Sequence, residues 1–237
     1  APRLMAFRSH VFRYRPHIAF DMYYRRFIRL MLPKMAGHPV EQVTFFGYTL
    51  IASMLGAGSI VVLNLARNFQ SMPVAVIGVN AALAIFPALA RASSSRDAKQ
   101  FSHDVRSVSL MTFVLTSLAA LVLYLIRYPL IDILIGGGQF DADAITRTAQ
   151  TLGVFVLAIP TESVSHVLAR AFYALKNSVT PVAISIIALC IAIGAGYLFS
   201  RSMGVPGLAL GFFAGSLVKI ILLSVLLKFE MRKKLQN

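Results

Sequence analysis

Glu162 and His166 stand four residues apart in IPTESVSHVLAR, so a helix places them on one face. A carboxylate beside an imidazole can pass a proton or hold a coupling ion. The same pair can instead make a structural hydrogen bond between neighbouring helices. A second polar group lies in LARNFQSMP, where Arg67, Asn68 and Gln70 stand at the head of a stretch without charge that runs to Ala90. A guanidinium in that position either snorkels to the nearer surface or faces a cavity and pairs with an anionic head group. Asn68 and Gln70 either extend the polar surface or bind neighbouring helices. Lys219, within an apolar run, is the other cation with the reach to enter a cavity. Pro73 and Pro160 each remove a backbone donor, so a kink is expected near each, as a hinge or as an ordinary packing bend.

The elements that must position these residues are apolar. Of the 237 residues 57% are hydrophobic and 14% are charged, against about 25% charged in a soluble domain. So much apolar surface needs lipid as part of its solvent. A hydrocarbon core about 30 Å thick takes roughly 20 apolar residues as helix. Six candidates follow: 32–56, 59–90, 107–126 with an interfacial piece to 135, 147–175, 180–200 and 207–227. The turn Gly56-Ala57-Gly58 separates the first two. The chain therefore reads as an all-α integral membrane protein. Residues 1–28 form a basic cytoplasmic linker, 29–230 a six-helix lobe and 231–237 a basic tail. No internal repeat stands out. The chain opens on Ala1 rather than on a methionine, which reads as part of a longer protein.

The net charge of +14 belongs to topology rather than to nucleic acid. Eighteen of the 23 Lys and Arg residues fall in segments on the N-terminal side of the six spans, and only Arg127, Arg147 and Arg201 fall opposite. That segregation places both ends in the cytoplasm. With no tryptophan present, an interfacial belt must draw on Tyr48, Tyr124, Tyr128 and Tyr197. Cys190 is the single cysteine, which excludes an internal disulfide and a cysteine-based zinc cluster. It reads as a small buried or lipid-facing residue. No HExxH, P-loop, GxSxG or paired-aspartate motif is present. Asp141 or Asp143 reads as a helix cap, and Gly136 to Gly138 as a re-entry turn. No metal or other cofactor is expected.

Three stretches resemble the MviN/MurJ-type lipid II flippase family, within the multidrug/oligosaccharidyl-lipid/polysaccharide exporter superfamily. TLIASMLGAGSIVVLNLARNFQSMPVAVIGVNAALAIFPALAR is similar to that family's seventh and eighth helices. GGGQFDADAITRTAQTLGVFVLAIP is similar to its outer loop and tenth helix. LARAFYALKNSVTP is similar to its ARxFYAxxDxxTP junction, with Asn177 where Asp is usual. The resemblance covers about residues 25–230 and implies the C-terminal lobe of a two-lobed exporter in the bacterial cytoplasmic membrane.

Between the lobes the family carries a cationic cavity that receives an anionic lipid-linked head group and carries it across by alternating access. The implied partners are that lipid-linked substrate, the surrounding membrane lipids and an N-terminal lobe of the same chain. The candidate cavity residues in this sequence are Arg67, Asn68, Gln70, Lys219 and Thr49, with Glu162 and His166 as candidates for ion or proton coupling. Three departures stand out. Tyr48-Thr49 replaces the family's frequent Asp-Thr, Ala66-Arg67-Asn68 replaces Ala-Asp-Arg, and Lys219 stands where an Asn is usual. The alternative within transport is export of another polysaccharide-linked lipid, or of a drug or cation. A membrane-embedded enzyme would need a clustered acid/base or metal constellation that this sequence lacks. A non-catalytic scaffold would use every polar residue for packing alone.

Overall fold

The computed structural model describes residues 40–135 and 142–235. The segment 1–28, the start of the first span at 32–39, Gly136 to Gly138 and Asp141 lie outside these. Every described element is helical: α1 (40–53), α2 (Ser59–Pro73), a π-helical turn (Val74–Val79), α3 (Asn80–Ser94), α4 (Ala98–Ile135), α5 (Ala142–Phe155), α6 (Ala158–Ala174), α7 (Val179–Met203) and α8 (Val205–Leu235). Four stretches are long and apolar enough to cross a bilayer: Ser59–Ser94, Ala98–Leu134, α7 and α8. The pair α5 and α6, bent by 44° at a short break, makes a fifth crossing taken together. With α1 as the described part of the first span, the six-span lobe is met in outline. The protein is an all-α, multi-pass membrane protein.

Several details differ from the sequence expectation. The piece 127–135 is not a separate interfacial segment; α4 runs unbroken through Pro129 to Ile135. At about 1.5 Å per residue this helix exceeds the hydrocarbon core, so its polar ends project beyond it. The tail likewise continues α8 as far as Leu235. Tyr48 is not interfacial. It is fully buried, and its hydroxyl donates to the Ala192 carbonyl at 3.0 Å, tying α1 to α7. Tyr124, Tyr128 and Tyr197 are exposed, as is Cys190.

The two prolines act differently. At Pro73 the chain continues as helix but widens into the π turn that follows. There the Asn80 amide donates to the Ala75 and Val76 carbonyls at 3.3 and 2.9 Å, satisfying groups that the widened ladder leaves accessible. Gly78 lets the turn approach α6 closely: a Cβ on it would lie 2.8 Å from Ser163 Cα. Pro160 sits in the first turn of α6, where a missing N–H costs no hydrogen bond, and the 44° break lies just before it at 156–157.

Two apolar clusters hold the ends of the bundle. One joins Tyr48, Leu63, Ile131, Leu152, Phe155 and Leu208. The other joins Leu89, Phe101, Leu168, Phe172, Leu175 and Leu227. At the second end both hairpin turns use one solution. Arg96 and Lys176 take left-handed φ values of 54° and 57°, and the following Asp97 and Asn177 accept from the backbone N–H of Gln100 and Thr180.

The tightest helix pair is α7 with α8. Gly207, Gly211 and Gly215 recur every fourth residue along α8 and face α7 at Phe199, Gly196 and Ala188. In lipid, where apolar side chains gain little by meeting one another, such small residues let backbones touch. A Cβ at Gly211 would lie 2.3 Å from the Gly196 nitrogen and 2.7 Å from the Ala192 carbonyl oxygen. Gly211→Ala should therefore destabilise the full-length protein by about 1–3 kcal/mol. Gly194→Ala, which meets nothing within 4 Å, should leave the thermal midpoint nearly unchanged. Thermal unfolding of the two variants side by side checks this.

Candidate functional site

The centre of the lobe is α6, most of whose residues are buried. A helix so enclosed still carries Thr161, Glu162, Ser163 and Ser165, and each finds a partner. Thr161 and Ser216 share a hydrogen bond at 2.7 Å that links α6 to α8. Ser163 donates to the Ile159 carbonyl, and Ser165 to that of Glu162, both at 2.7 Å. The Glu162 carboxylate accepts from Gln70 Nε2 at 3.1 Å, which ties α6 to α2. Gln70 is itself buried, and its Oε1 has no partner among the described residues.

Beside Glu162 lies a cavity of about 330 Å³, bounded by α1, α6, α7 and α8. Its polar lining comprises Glu41 and Thr44 from α1, Glu162, Ser165, His166, Arg170 and Tyr173 from α6, Ser185 from α7, and Ser216 and Lys219 from α8. The cavity is partly open, and its polar lining suits an ion or a short chain of waters. The lining sets two acidic side chains, Glu41 and Glu162, beside Lys219, Arg170 and an imidazole, so it mixes acidic and basic groups. Lys219 makes no ion pair among the described residues. No described cluster of His, Cys, Asp and Glu is suited to hold a metal.

The sequence-derived residues fall into separate places. Glu162, His166 and Lys219 line the cavity together. Arg67 reaches it only through Glu41: its guanidinium bonds the Glu41 carboxylate at 2.6 Å and stacks 3.2 Å above the Phe45 ring. Arg67 Nε is buried without a partner among the described residues. Gln70 touches Glu162 from behind, outside the lining. Asn68 is exposed, and Thr49 turns its hydroxyl back to the Phe45 carbonyl at 2.9 Å; neither lines the cavity. Pro73 and Pro160 flank the site at the π turn and at the α5–α6 break.

Two charged lining residues escaped the sequence reading, along with the lining hydroxyls Thr44, Ser165, Tyr173, Ser185 and Ser216. Glu41 sits at the edge of the first span, where the uncharged run begins only at Gln42. Arg170 reads as a loop cation by charge counting. Yet Glu162, His166 and Arg170 follow an i, i+4, i+8 spacing, which already places all three on one stripe.

The family model described as lipid II flippase MurJ matches residues 1–236. The chain belongs to the MurJ family. The lipid II flippase MurJ of Burkholderia cenocepacia is 30% identical over 199 residues, covering 84% of this chain and 39% of its own length. The probable lipid II flippase MurJ of Thermotoga maritima is 24% identical over 225 residues, covering 94% and 46%. This chain thus spans less than half the length of these curated relatives.

Among solved structures, a lipid II flippase MurJ in an inward closed conformation superposes with a TM-score of 0.75 at 21% identity, over 93% of this chain and 48% of its own. The Vibrio cholerae MATE transporter VcmN in a bent form reaches 0.81 at 15% identity, over 92% and 49%. At these identities the likeness concerns the fold: one lobe of a MurJ- or MATE-type architecture. The named relatives are flippases and transporters, not enzymes.

The Arg67–Glu41 pair is only partly enclosed, with side chains 21% and 47% exposed, so its worth is discounted for screening. A double-mutant cycle of Arg67→Ala and Glu41→Ala in the full-length protein should return a coupling of about 1 kcal/mol in thermal unfolding. Additive effects would mean that the two side chains act independently.

Proposed function

We propose that this chain is the C-terminal lobe of a lipid II flippase, which with an N-terminal lobe of the same protein moves the lipid-linked peptidoglycan precursor across the bacterial cytoplasmic membrane. The family match over residues 1–236 carries this reading. In it the pyrophosphate and sugar-peptide head cross between the lobes, while the lipid tail stays in the bilayer. The small mixed-charge cavity serves the coupling step: Glu162 and His166 take up a proton or ion, and Lys219 and Arg170 balance the carboxylates when they are ionised. Arg67, held by Glu41, is released towards the head group when α1 moves and breaks that pair. The π turn after Pro73 and the break before Pro160 are the points about which the lobe changes shape.

Expression of the full-length gene in a bacterium depleted of its own flippase tests the reading. Wild type should restore growth, whereas Lys219→Met and Glu162→Gln, inserted at normal levels, should each restore it at least tenfold less well. Rescue by both variants would keep the cargo and remove the cavity from its transport. Failure of well-inserted wild type would count against lipid II as cargo. A second reading, export of a different cargo with cation coupling, draws on Glu41, which adds a second carboxylate to Glu162 at the cavity. Export of a drug in place of lipid II under the same expression conditions would select it.

Orientation is part of the proposal: the end of the bundle bearing Arg96 and Lys176 faces the cytoplasm, following the cation excess there. In a Cys190→Ser background of the full-length protein, Ser202→Cys should react with an impermeant maleimide in intact cells. Ser95→Cys should react only after lysis. The opposite pattern would invert the topology.

A further inference from the structure

A second cleft lies at the edge of the lobe, between the first turns of α4 and the last turns of α8. Its open volume is about 620 Å³, and its polar lining is Lys99, Ser102, His103 and Arg106 from α4 with Lys228 and Arg232 from α8. The spacing gives each helix one basic stripe: Lys99 and Arg106 with His103 between them on α4, and Lys228 and Arg232 on α8. None of the four Lys and Arg residues forms an ion pair among the described residues. The lining itself holds no carboxylate, and the neighbouring acids stand outside it. Asp97 caps the Gln100 N–H, Asp104 accepts from the Gln100 amide and lies 3.6 Å from His103, and Glu230 pairs with Lys234 at 3.3 Å. Four cations with no carboxylate among the lining make the cleft a positive concavity.

We propose that this cleft seats the phosphate head group of an anionic membrane phospholipid. The neighbouring surface selects a lipid rather than a soluble anion. From the fourth residue past Arg106, α4 exposes Leu110 and Met111, and around Lys228 α8 exposes Val225, Leu226 and Phe229. The cleft therefore stands where polar helix ends give way to apolar, outward-facing helix surface. A head group bound there keeps its acyl chains against that surface. Basic pockets between membrane helices recognise phosphate head groups in this way, through short-range charge and hydrogen bonding. The site is separate from the cavity beside Glu162, so the proposal holds whatever cargo the protein moves.

The test uses the full-length protein in nanodiscs containing phosphatidylglycerol and phosphatidylcholine, with bound lipid read by native mass spectrometry. Wild type should retain phosphatidylglycerol in preference to phosphatidylcholine; equal retention of the two would overturn the proposal without reference to any variant. Lys99→Gln with Lys228→Gln should lower phosphatidylglycerol retention by about thirty-fold, roughly five-fold for each cation removed. Arg91→Gln with Lys233→Gln removes two exposed cations outside the cleft and should leave retention near wild type. Equal loss in both double variants would reduce the effect to general surface charge and overturn the site. Displacement of phosphatidylglycerol by inorganic phosphate at matched concentration would make it a free-phosphate site and overturn the lipid assignment.

Discussion

A carboxylate inside a lipid-embedded bundle must be answered on every side, and Glu162 sets that condition for the lobe. Leaving it unpaired in hydrocarbon would cost more than most folding contributions return. The Gln70 amide answers it from α2, and the cavity shared with Lys219 answers it from the other side. The rest of α6 follows. Its hydroxyls return to its own carbonyls or bridge to Ser216, so a buried helix carries many polar groups with few of them unmatched. The π turn belongs to the same arrangement, because it brings Gly78 against Ser163 one residue along from Glu162.

Packing supplies the remaining constraint. In water, apolar contact alone would hold α7 to α8; in lipid it discriminates poorly between neighbours, and close backbone approach takes over. The glycine stripe on α8 and the small residues of α7 form one continuous seam. Tyr48 then crosses from α1 to a carbonyl within that seam, so the position of the first described helix depends on it.

Much of this was legible beforehand. Apolar run length located the helices, and the cation asymmetry paired their ends, because both signals follow directly from the cost of exposing backbone or charge to hydrocarbon. Boundaries were less visible. Arg127 and Pro129 look like an exit from the membrane, yet a helix needs no lipid to continue, so α4 simply goes on. Tyr48 was misplaced because tyrosine suits both a wet interface and a dry core that offers one acceptor. Glu162, His166 and Lys219 were recognisable as intramembrane ionisable groups. Arg67 was recognisable as a cation, but its partner Glu41 was hidden at the margin of an apolar window. The glycine spacing on α8 was present in the sequence as GxxxGxxxG and carried information that a reading centred on polar residues passed over.

The π turn has a consequence for how the lobe can change in length. A π turn holds one residue more than the α-helix it interrupts. Removing one residue within Val74–Val79 would restore a regular helix while keeping α2 and α3 in their present rotational phase. Removing one residue elsewhere in either helix would swing the remainder by about 100° and carry its apolar face away from its neighbours. The turn is therefore the one place along Ser59–Ser94 where relatives of different length can differ by a residue and still present the same two faces to α5 and α6.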